Sequence, residues 1–338
     1  MRLRRSDTSA PGYRRRRRGR GFSYQCPDGR PVTDPTELDR IRALVIPPAW
    51  QDVWICTDAR GHVQATGTDA AGRRQYRYHD AWRVQRDAAK FDHMLEVGAQ
   101  LPDIRATVDK HLAGRGATRD RVLAAAVRLL DVGCFRIGGE EYANGDDASF
   151  GLATVRREHV RLTDGVVRFR YPAKGGQERS LDVRDDDVRA VVRSLLARPD
   201  DQPELLAYRR GRTWVDVRGA DINAYLRDVA GIEITAKDFR TWNGTVLAAV
   251  SLAVDELRAP ADRSRRARRR AVPAAIREVA DYLGNTPTVA RTSYVDPRVV
   301  DLFVDGTTIA PALDGAEPDL DDRRVRDRVD AAVLDLLS

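Results

Sequence analysis

The sequence predicts an α+β protein in which a small β-rich N-terminal domain precedes a larger, mainly α-helical domain that contains a small antiparallel sheet. Three observations predict this class. Short apolar runs with strand periodicity fill residues 22–78, helical spacing begins near residue 91, and strand signals return at residues 160–183. The 338 residues are enough for two domains with separate cores.

Composition excludes several classes of protein. Hydrophobic residues make up 42% of the chain without an apolar run near 18 residues, so we expect a soluble protein with no membrane partner. The basic N-terminus has no apolar segment after it, which predicts no signal peptide. The cysteines (Cys26, Cys56 and Cys134) lack C-x-x-C spacing. We therefore expect no metal site, no cofactor and a cytoplasmic location.

The positive charge is concentrated in two segments. Residues 1–20 hold nine arginines and one aspartate, a balance of +8 against a net charge of +7 for the whole chain. Because they show no hydrophobic periodicity, these residues are predicted to form a disordered basic arm. A second cluster, residues 263–270, holds six arginines. Such runs bind polyanions without reading sequence.

The β-rich domain is predicted at residues 21–82, with a short helix at 38–44 and strands at 53–55, 62–65 and 75–78. The last strand would present Gln75 on one face and Tyr76 and Tyr78 on the other. Polar side chains can reach base edges in a major groove, and aromatic rings can pack on sugars or thymine methyl groups. An ordinary edge strand would show the same alternation.

Residues 83–89 are predicted to link this domain to a helical domain at residues 90–338. Thr118 is expected to cap a helix that leads into residues 134–142, C-F-R-I-G-G-E-E-Y. Arg136 begins this irregular stretch, where its guanidinium could face a phosphate. Alternatively, Arg136 would pair with Glu140 or Glu141.

A hairpin turn at residues 173–177 is predicted to carry Lys174 at its tip. The chain holds only four lysines against 54 arginines. Lysine, unlike arginine, can release its proton within reach of neutral pH. Lys174 is therefore a candidate general acid, and the alternative is an ordinary exposed lysine.

The segment at residues 237–245, K-D-F-R-T-W-N-G-T, is predicted to open a helix at residues 240–257. Its amide groups would offer a site for a phosphate, with Arg240 as a second cation and Lys237 near a phosphate or base edge. The arginines at 263–270 are expected to interrupt the helices before another helix that starts at Pro273.

Residues 283–295, L-G-N-T-P-T-V-A-R-T-S-Y-V, contain the candidate nucleophile. Gly284 is predicted to cap the preceding helix, and Tyr294 should lie on a short helical segment at residues 288–295 that Pro297 stops. A phenol can attack phosphorus only where cations offset the developing charge. Taken alone, a tyrosine near a helix end is more typical of packing.

In chain order, Arg136, Lys174, Arg240, Asn285 and Tyr294 resemble the catalytic set of the type IB DNA topoisomerases, in particular the small poxvirus-like enzymes of bacteria. The resemblance covers residues 21–303. It implies a monomer whose two domains clamp double-stranded DNA in the nucleoid. It also implies strand cleavage by Tyr294 through a 3′-phosphotyrosyl bond, without ATP or metal.

The resemblance assigns further roles by position. Arg136 and Arg240 would hold the phosphate, and Lys174 would protonate the leaving 5′-oxygen. The residues that match DNA contacts are Gln75, Tyr76 and Tyr78. Asn285 departs from the commonest pattern, because many relatives carry a histidine nine residues before the tyrosine. An asparagine amide donates a hydrogen bond without positive charge.

Other functions remain open from the sequence. A tyrosine recombinase or integrase uses almost the same residues, but its second arginine usually lies in an H-x-x-R box, and here Lys237 precedes Arg240 by three. A non-catalytic DNA-binding protein would carry the same residues incidentally. A metal-dependent nuclease would need a carboxylate or histidine cluster, and no such cluster is evident in the sequence.

Overall fold

The computed structural model describes residues 2–145, 147–258, 264–313 and 315–338, and it divides into two compact units, Met1–Asp92 and His93–Ser338. The predicted α+β class is confirmed, because an antiparallel sheet dominates the first unit and helices with small sheets form the second. No helix of the described residues is long and apolar enough to cross a bilayer. The same residues contain no group of three or more potential ligands that could hold a metal ion.

The first unit is built on a five-stranded antiparallel sheet. Its strands are β1 (Tyr13–Arg18), β2 (Gly21–Gln25), β3 (Gln51–Ile55), β4 (Val63–Thr68) and β5 (Arg74–Tyr78), in the spatial order β2-β1-β3-β4-β5. Helix α1 (Pro35–Ala43) begins where the Asp34 side chain accepts the N–H of Thr36 at 2.9 Å. Its Ile41 is buried with Val53, Ile55 and Ala65 of the sheet, and these four side chains form the core of this unit.

The prediction that residues 1–20 form a disordered arm is wrong. Strand β1 lies between β2 and β3. Its Tyr13 packs against the core, and the Arg15 guanidinium donates to the carbonyls of Ile46, Pro47 and Trp50 at 2.6–3.1 Å. An unbroken run of arginines hides the alternation of inward and outward side chains, so composition alone predicted disorder.

The predicted linker at residues 83–89 is also wrong. Helix α2 (Asp80–Leu112) runs through it, and the division between the two units falls inside this helix. The seven side chains of residues 83–89 are all exposed. A helical segment exposed on every side has no apolar stripe, so its sequence carries no helical periodicity.

The second unit combines eight further helices with two small sheets among its described residues. The helices are α3 (Arg119–Gly133), α4 (Asp186–Leu196), α5 (Gly219–Ala230), α6 (Ala236–Arg258), α7 (Arg265–Leu283), α8 (Pro287–Ser293), α9 (Pro297–Asp305) and α10 (Arg323–Leu337). The first sheet has the order β6 (Val160–Thr163), β7 (Val166–Ala173), β8 (Gln177–Val183), and the second pairs β9 (Ala207–Arg210) with β10 (Thr213–Asp216). Thr118 caps α3 as predicted.

Helix α7 begins earlier than predicted. Pro273 lies inside it rather than at its start, and Arg265–Arg270 form its first turns instead of interrupting the helices. Arg263 lies outside the described residues. A proline within a helix removes one hydrogen bond, at a cost of about 3 kcal/mol. Burial of the apolar side of α7 offsets this cost, through Val272, Ala275, Ile276, Val279, Ala280 and Leu283.

A buried ionic cluster joins four helices around Arg105 of α2. Its guanidinium donates to both oxygens of Asp131 at 2.8 Å and to Asp330 Oδ2 at 2.7 Å. The indole N–H of Trp242 donates to Asp330 Oδ1 at 2.9 Å. Burial alone would raise the pKa of Asp131, but Arg105 outweighs it and lowers the pKa to about 2. The cluster therefore keeps Asp131 ionised in the interior.

Replacing Arg105 by methionine is expected to lower the free energy of unfolding by about 3–5 kcal/mol, because Asp131 and Asp330 would stay buried without their cation. Urea unfolding followed by far-ultraviolet circular dichroism measures the change. Arg168→Met is the control, because Arg168 pairs with Asp182 on an exposed part of the hairpin. Equal stability of the two variants would contradict a structural role for the cluster.

Candidate active site

Arg136 follows the end of α3, where the chain leaves the helix through a left-handed residue. Cys134, with φ at 48°, caps the helix. The half-buried Arg136 guanidinium donates through Nη2 to the Gly284 carbonyl at 2.6 Å and to Asn285 Oδ1 at 2.5 Å. The predicted alternative of a Glu140 pair is not found, since Glu140 pairs with Arg218 at 3.2 Å. Arg136 is thus held by neutral oxygens.

Arg240 lies in α6 and is buried, with 3% of its surface exposed. Its guanidinium donates to the carbonyl of Cys134 and, at 2.8 Å, to the carbonyl of Leu283. Its Nε atom is buried without a hydrogen-bond partner among the described residues. The Arg240 guanidinium therefore holds the ends of α3 and α7 together, and its Nε–H remains available as a hydrogen-bond donor.

Tyr294 directly follows α8, which ends at Ser293 rather than continuing to residue 295 as predicted, and it packs against α6. Its carbonyl accepts the Thr245 hydroxyl at 3.2 Å, and a side chain at Gly244 would come within 2.8 Å of the same oxygen. The centre of the Tyr294 ring lies 5.2 Å from Cζ of Arg240. Within the described parts of the chain, the half-buried phenolic hydroxyl has no hydrogen-bond partner. Its oxygen is therefore not used to hold the fold together.

The Gly284–Asn285 turn joins these groups. Gly284 ends α7 in the left-handed conformation, φ 60°, and the N–H of Asn285 donates to the Ala280 carbonyl at 2.8 Å, which confirms the predicted cap. Because the side-chain oxygen of Asn285, Oδ1, accepts the hydrogen bond from Arg136, the side-chain Nδ2 group remains as a donor. That Nδ2 is buried without a partner among the described residues.

The structure adds Arg179, a third arginine that the sequence reasoning missed. Arg179 of β8 lies opposite Tyr171 of β7. A methyl group placed on Gly284 would lie 3.3 Å from Nη1 of Arg179 and 3.8 Å from Nη1 of Arg136. A signal was present, because Arg179 shares strand parity with Leu181 and the buried Val183, and therefore points inward.

These three arginines have no carboxylate partner in the described part of the chain. Other buried or half-buried arginines of this unit do have such partners, such as Arg105 with Asp131 at 2.8 Å and Arg128 with Asp185 at 2.6 Å. Burial lowers the pKa of Arg136, and repulsion from Arg240 and Arg179 lowers it further. Uncompensated positive charge beside two buried donors is an arrangement that binds an anion.

The structure does not bring the two predicted lysines into contact with this group. Lys174 is exposed at the tip of the β7–β8 hairpin, as predicted, and the positive φ angles of Gly175 (87°) and Gly176 (72°) form the turn. Lys237 is exposed in the first turn of α6. Neither lysine side chain forms an ion pair or hydrogen bond with another described residue.

The start of α6 differs from the prediction. The helix begins at Ala236, four residues earlier than predicted, and the N–H of Ala236 donates to Asn223 Oδ1 at 2.9 Å. Asp238 accepts from both the N–H and the hydroxyl of Thr235. Side chains thus occupy the N–H groups of Thr235 and Ala236, and Arg240 lies in the second turn of the helix rather than at its start.

Strand β5 of the first unit carries the three predicted DNA contacts on opposite faces. Tyr76 and Tyr78 are exposed, at 46% and 37%, and their rings stack with centroids 6.0 Å apart. Gln75 points to the other face and donates to Asp69 Oδ2 at 2.9 Å. The two tyrosines are therefore available to a partner, whereas Gln75 is engaged within its own turn.

Comparisons with known proteins agree with this geometry. The sequence model of the eukaryotic DNA topoisomerase I catalytic core matches residues 79–301, and that of the bacterial DNA topoisomerase IB N-terminal domain matches residues 21–69. The DNA topoisomerase 1B of Acanthamoeba polyphaga mimivirus is 27% identical over 297 residues, which cover 86% of this chain and 87% of that protein.

The catalytic-core match contains all five residues predicted to act in catalysis and extends over more than half of the chain. A family match of that extent decides between the functions that the sequence left open. The chain therefore belongs to the type IB DNA topoisomerase family, and it is an isomerase that acts on DNA.

Proposed function

We propose that this enzyme relaxes positive and negative supercoils by cleaving one DNA strand through a 3′-phosphotyrosyl bond to Tyr294, allowing strand rotation, and resealing the strand. The observation that carries the proposal is a set of three arginines around Gly284 that have no carboxylate partner among the described residues, one of which, Arg240, lies beside the Tyr294 ring. A DNA phosphodiester supplies the anion that such a set lacks.

The unused donors favour a phosphate over a simpler anion. Arg240 Nε and Asn285 Nδ2 are two of the four buried side-chain atoms without a partner in the described residues. A buried donor left unpaired costs about 1–3 kcal/mol, so an acceptor that reaches both restores this energy on binding. A phosphate has several oxygens in a tetrahedral arrangement, and a trigonal bipyramidal transition state carries more charge on them.

The chemical step proceeds as a transesterification. The Tyr294 oxygen attacks phosphorus as its proton passes to solvent, the new P–O bond forms, and the bond to the 5′-oxygen breaks. Arg136 and Arg240 hold the non-bridging oxygens, and Asn285 donates one neutral hydrogen bond. Arg136 is positioned for this role because Gly284 and Asn285 fix its guanidinium.

Lys174 supplies the proton that the leaving 5′-oxygen needs. Two glycines follow it at the hairpin tip, and its side chain has no hydrogen bond or ion pair with another described residue, so the loop can close when DNA is present. Resealing is the reverse reaction, in which the 5′-hydroxyl attacks the phosphotyrosine. Because the phosphotyrosyl bond replaces the broken phosphodiester bond and retains its energy, resealing needs no ATP, and neither step needs a metal ion.

The first unit contributes contacts to the same duplex. Tyr76 and Tyr78 are its exposed aromatic pair, and Gln75 could reach a base edge only by leaving Asp69. Lys237 is exposed and contacts a phosphate or a base edge. The enzyme acts as a monomer on double-stranded DNA of the nucleoid.

Tyr294→Phe is expected to abolish relaxation of both positively and negatively supercoiled plasmid, measured in EDTA without ATP, because it removes only the attacking oxygen. DNA binding should remain. Tyr282→Phe is the matched control, since its hydroxyl only donates to the Val132 carbonyl at 3.1 Å. Activity of Tyr294→Phe, or a requirement of the wild type for Mg²⁺, would refute the proposed chemistry.

Lys174→Ala is expected to slow single-turnover cleavage at least a hundredfold on ordinary DNA, because the 5′-oxygen leaves without a proton. A substrate with sulfur in place of that bridging oxygen has a better leaving group, so the variant should cleave it at close to the wild-type rate. Lys110→Ala, at another exposed lysine, should cleave both substrates normally. An equal defect on both substrates would contradict general-acid catalysis.

Arg179→Ala is expected to lower the single-turnover cleavage rate about tenfold or more at saturating enzyme, because one of the three cations beside the phosphate is lost. The control is Arg170→Ala in the same hairpin, where Arg170 pairs with Glu178 at 2.8 Å. Identical cleavage rates for the two variants would show that the anion site needs only Arg136 and Arg240.

A further inference from the structure

Strand β1 presents a row of three arginines on one side of the first unit's sheet. Arg14, Arg16 and Arg18 alternate with Tyr13 and Arg15, which face the core. All three side chains are exposed. We call them the β1 arginine row. Strand β1 ends before residue 21, where the match to the bacterial N-terminal domain begins.

The β1 arginine row lies on the same face of the sheet as the exposed tyrosines. Cross-strand partners point to the same face, and the register connects Arg14 to Trp54, Trp54 to Thr66, and Thr66 to Tyr76. Arg14 and Tyr76 therefore stand in one line across the sheet. Three strand spacings separate them, roughly 14 Å in all.

The row has no acidic partner among the described residues. Its one recorded side-chain hydrogen bond runs from Arg16 Nε to Gln25 Oε1 at 3.1 Å. Several other exposed arginines of this unit pair with a neighbouring carboxylate, as Arg30 does with Asp28 and Arg42 with Asp39. Like charges on one face of a strand repel each other and destabilise a sheet. An anionic partner would remove this repulsion.

The spacing fits a DNA duplex. The major groove is about 12 Å wide. If Tyr76 and Tyr78 enter the groove, long arginine side chains that start roughly 14 Å away across the sheet can reach the phosphates at the edge of the groove. We propose that the β1 arginine row binds phosphates of one DNA strand along the edge of the groove that Tyr76 and Tyr78 enter. This inference rests on the proposed function and assigns the row to affinity rather than to chemistry.

The test is the salt dependence of duplex binding by the full chain carrying R14Q/R16Q/R18Q. Each lost phosphate contact reduces the slope of log K against log salt by about 0.9, so we expect a slope lower by about 2–3 and affinity at least tenfold weaker. At saturating enzyme, the rate of DNA cleavage should equal that of the wild type. A hydroxyl-radical footprint should lose protection on one strand.

The matched control is R17Q/R30Q/R42Q, which removes the same charge from exposed positions away from this face. Circular dichroism checks that both variants fold, and R14Q alone serves if the triple variant does not. Equal slopes for the two triple variants, or an unchanged footprint, would overturn the assignment. Failure of the wild type to bind or cleave DNA would instead refute the proposed function.

Discussion

The central constraint in this protein is a group of positive charges that no carboxylate of the described residues neutralises. Arg136, Arg240 and Arg179 approach one another around Gly284, and backbone carbonyls and one amide oxygen hold the first two. Carbonyls fix a guanidinium in place but leave its net charge intact, whereas a carboxylate would cancel it. The contrast with the Arg105 cluster, where acids surround a buried arginine, separates a binding site from a structural element.

The architecture of the second unit follows from holding these cations in place. Arg240 of α6 donates hydrogen bonds to the carbonyl of Cys134 at the end of α3 and to that of Leu283 at the end of α7, so one side chain fixes three helices relative to one another. Gly284, in the left-handed conformation, then turns the chain so that the Asn285 side chain accepts a hydrogen bond from Arg136. Helix α8 follows and places Tyr294 against α6. A Cβ at Gly244 would collide with the Tyr294 backbone, so this glycine allows the proposed nucleophile to pack closely against α6.

Much of this arrangement could be predicted because local signals specify it. The Gly284 cap, the Thr118 cap and the glycine hairpin at Lys174 each depend on a few adjacent residues. The failures came from long-range interactions. Burial of one side keeps α7 helical through Pro273, and pairing with two neighbours orders β1 despite its charge. The alternation along β8 indicates that Arg179 points inward, but only the pairing of β8 with β7 brings it to the site.

The most direct test of the account is to trap the covalent complex on a duplex whose cleaved strand dissociates, digest it with trypsin, and identify the modified residue by mass spectrometry. The peptide at residues 292–298, T-S-Y-V-D-P-R, contains a single tyrosine. The account predicts a nucleotide joined by its 3′-phosphate to Tyr294, and a released strand with a 5′-hydroxyl. Attachment at another residue, attachment through a 5′-phosphate, or cleavage without any adduct would contradict it.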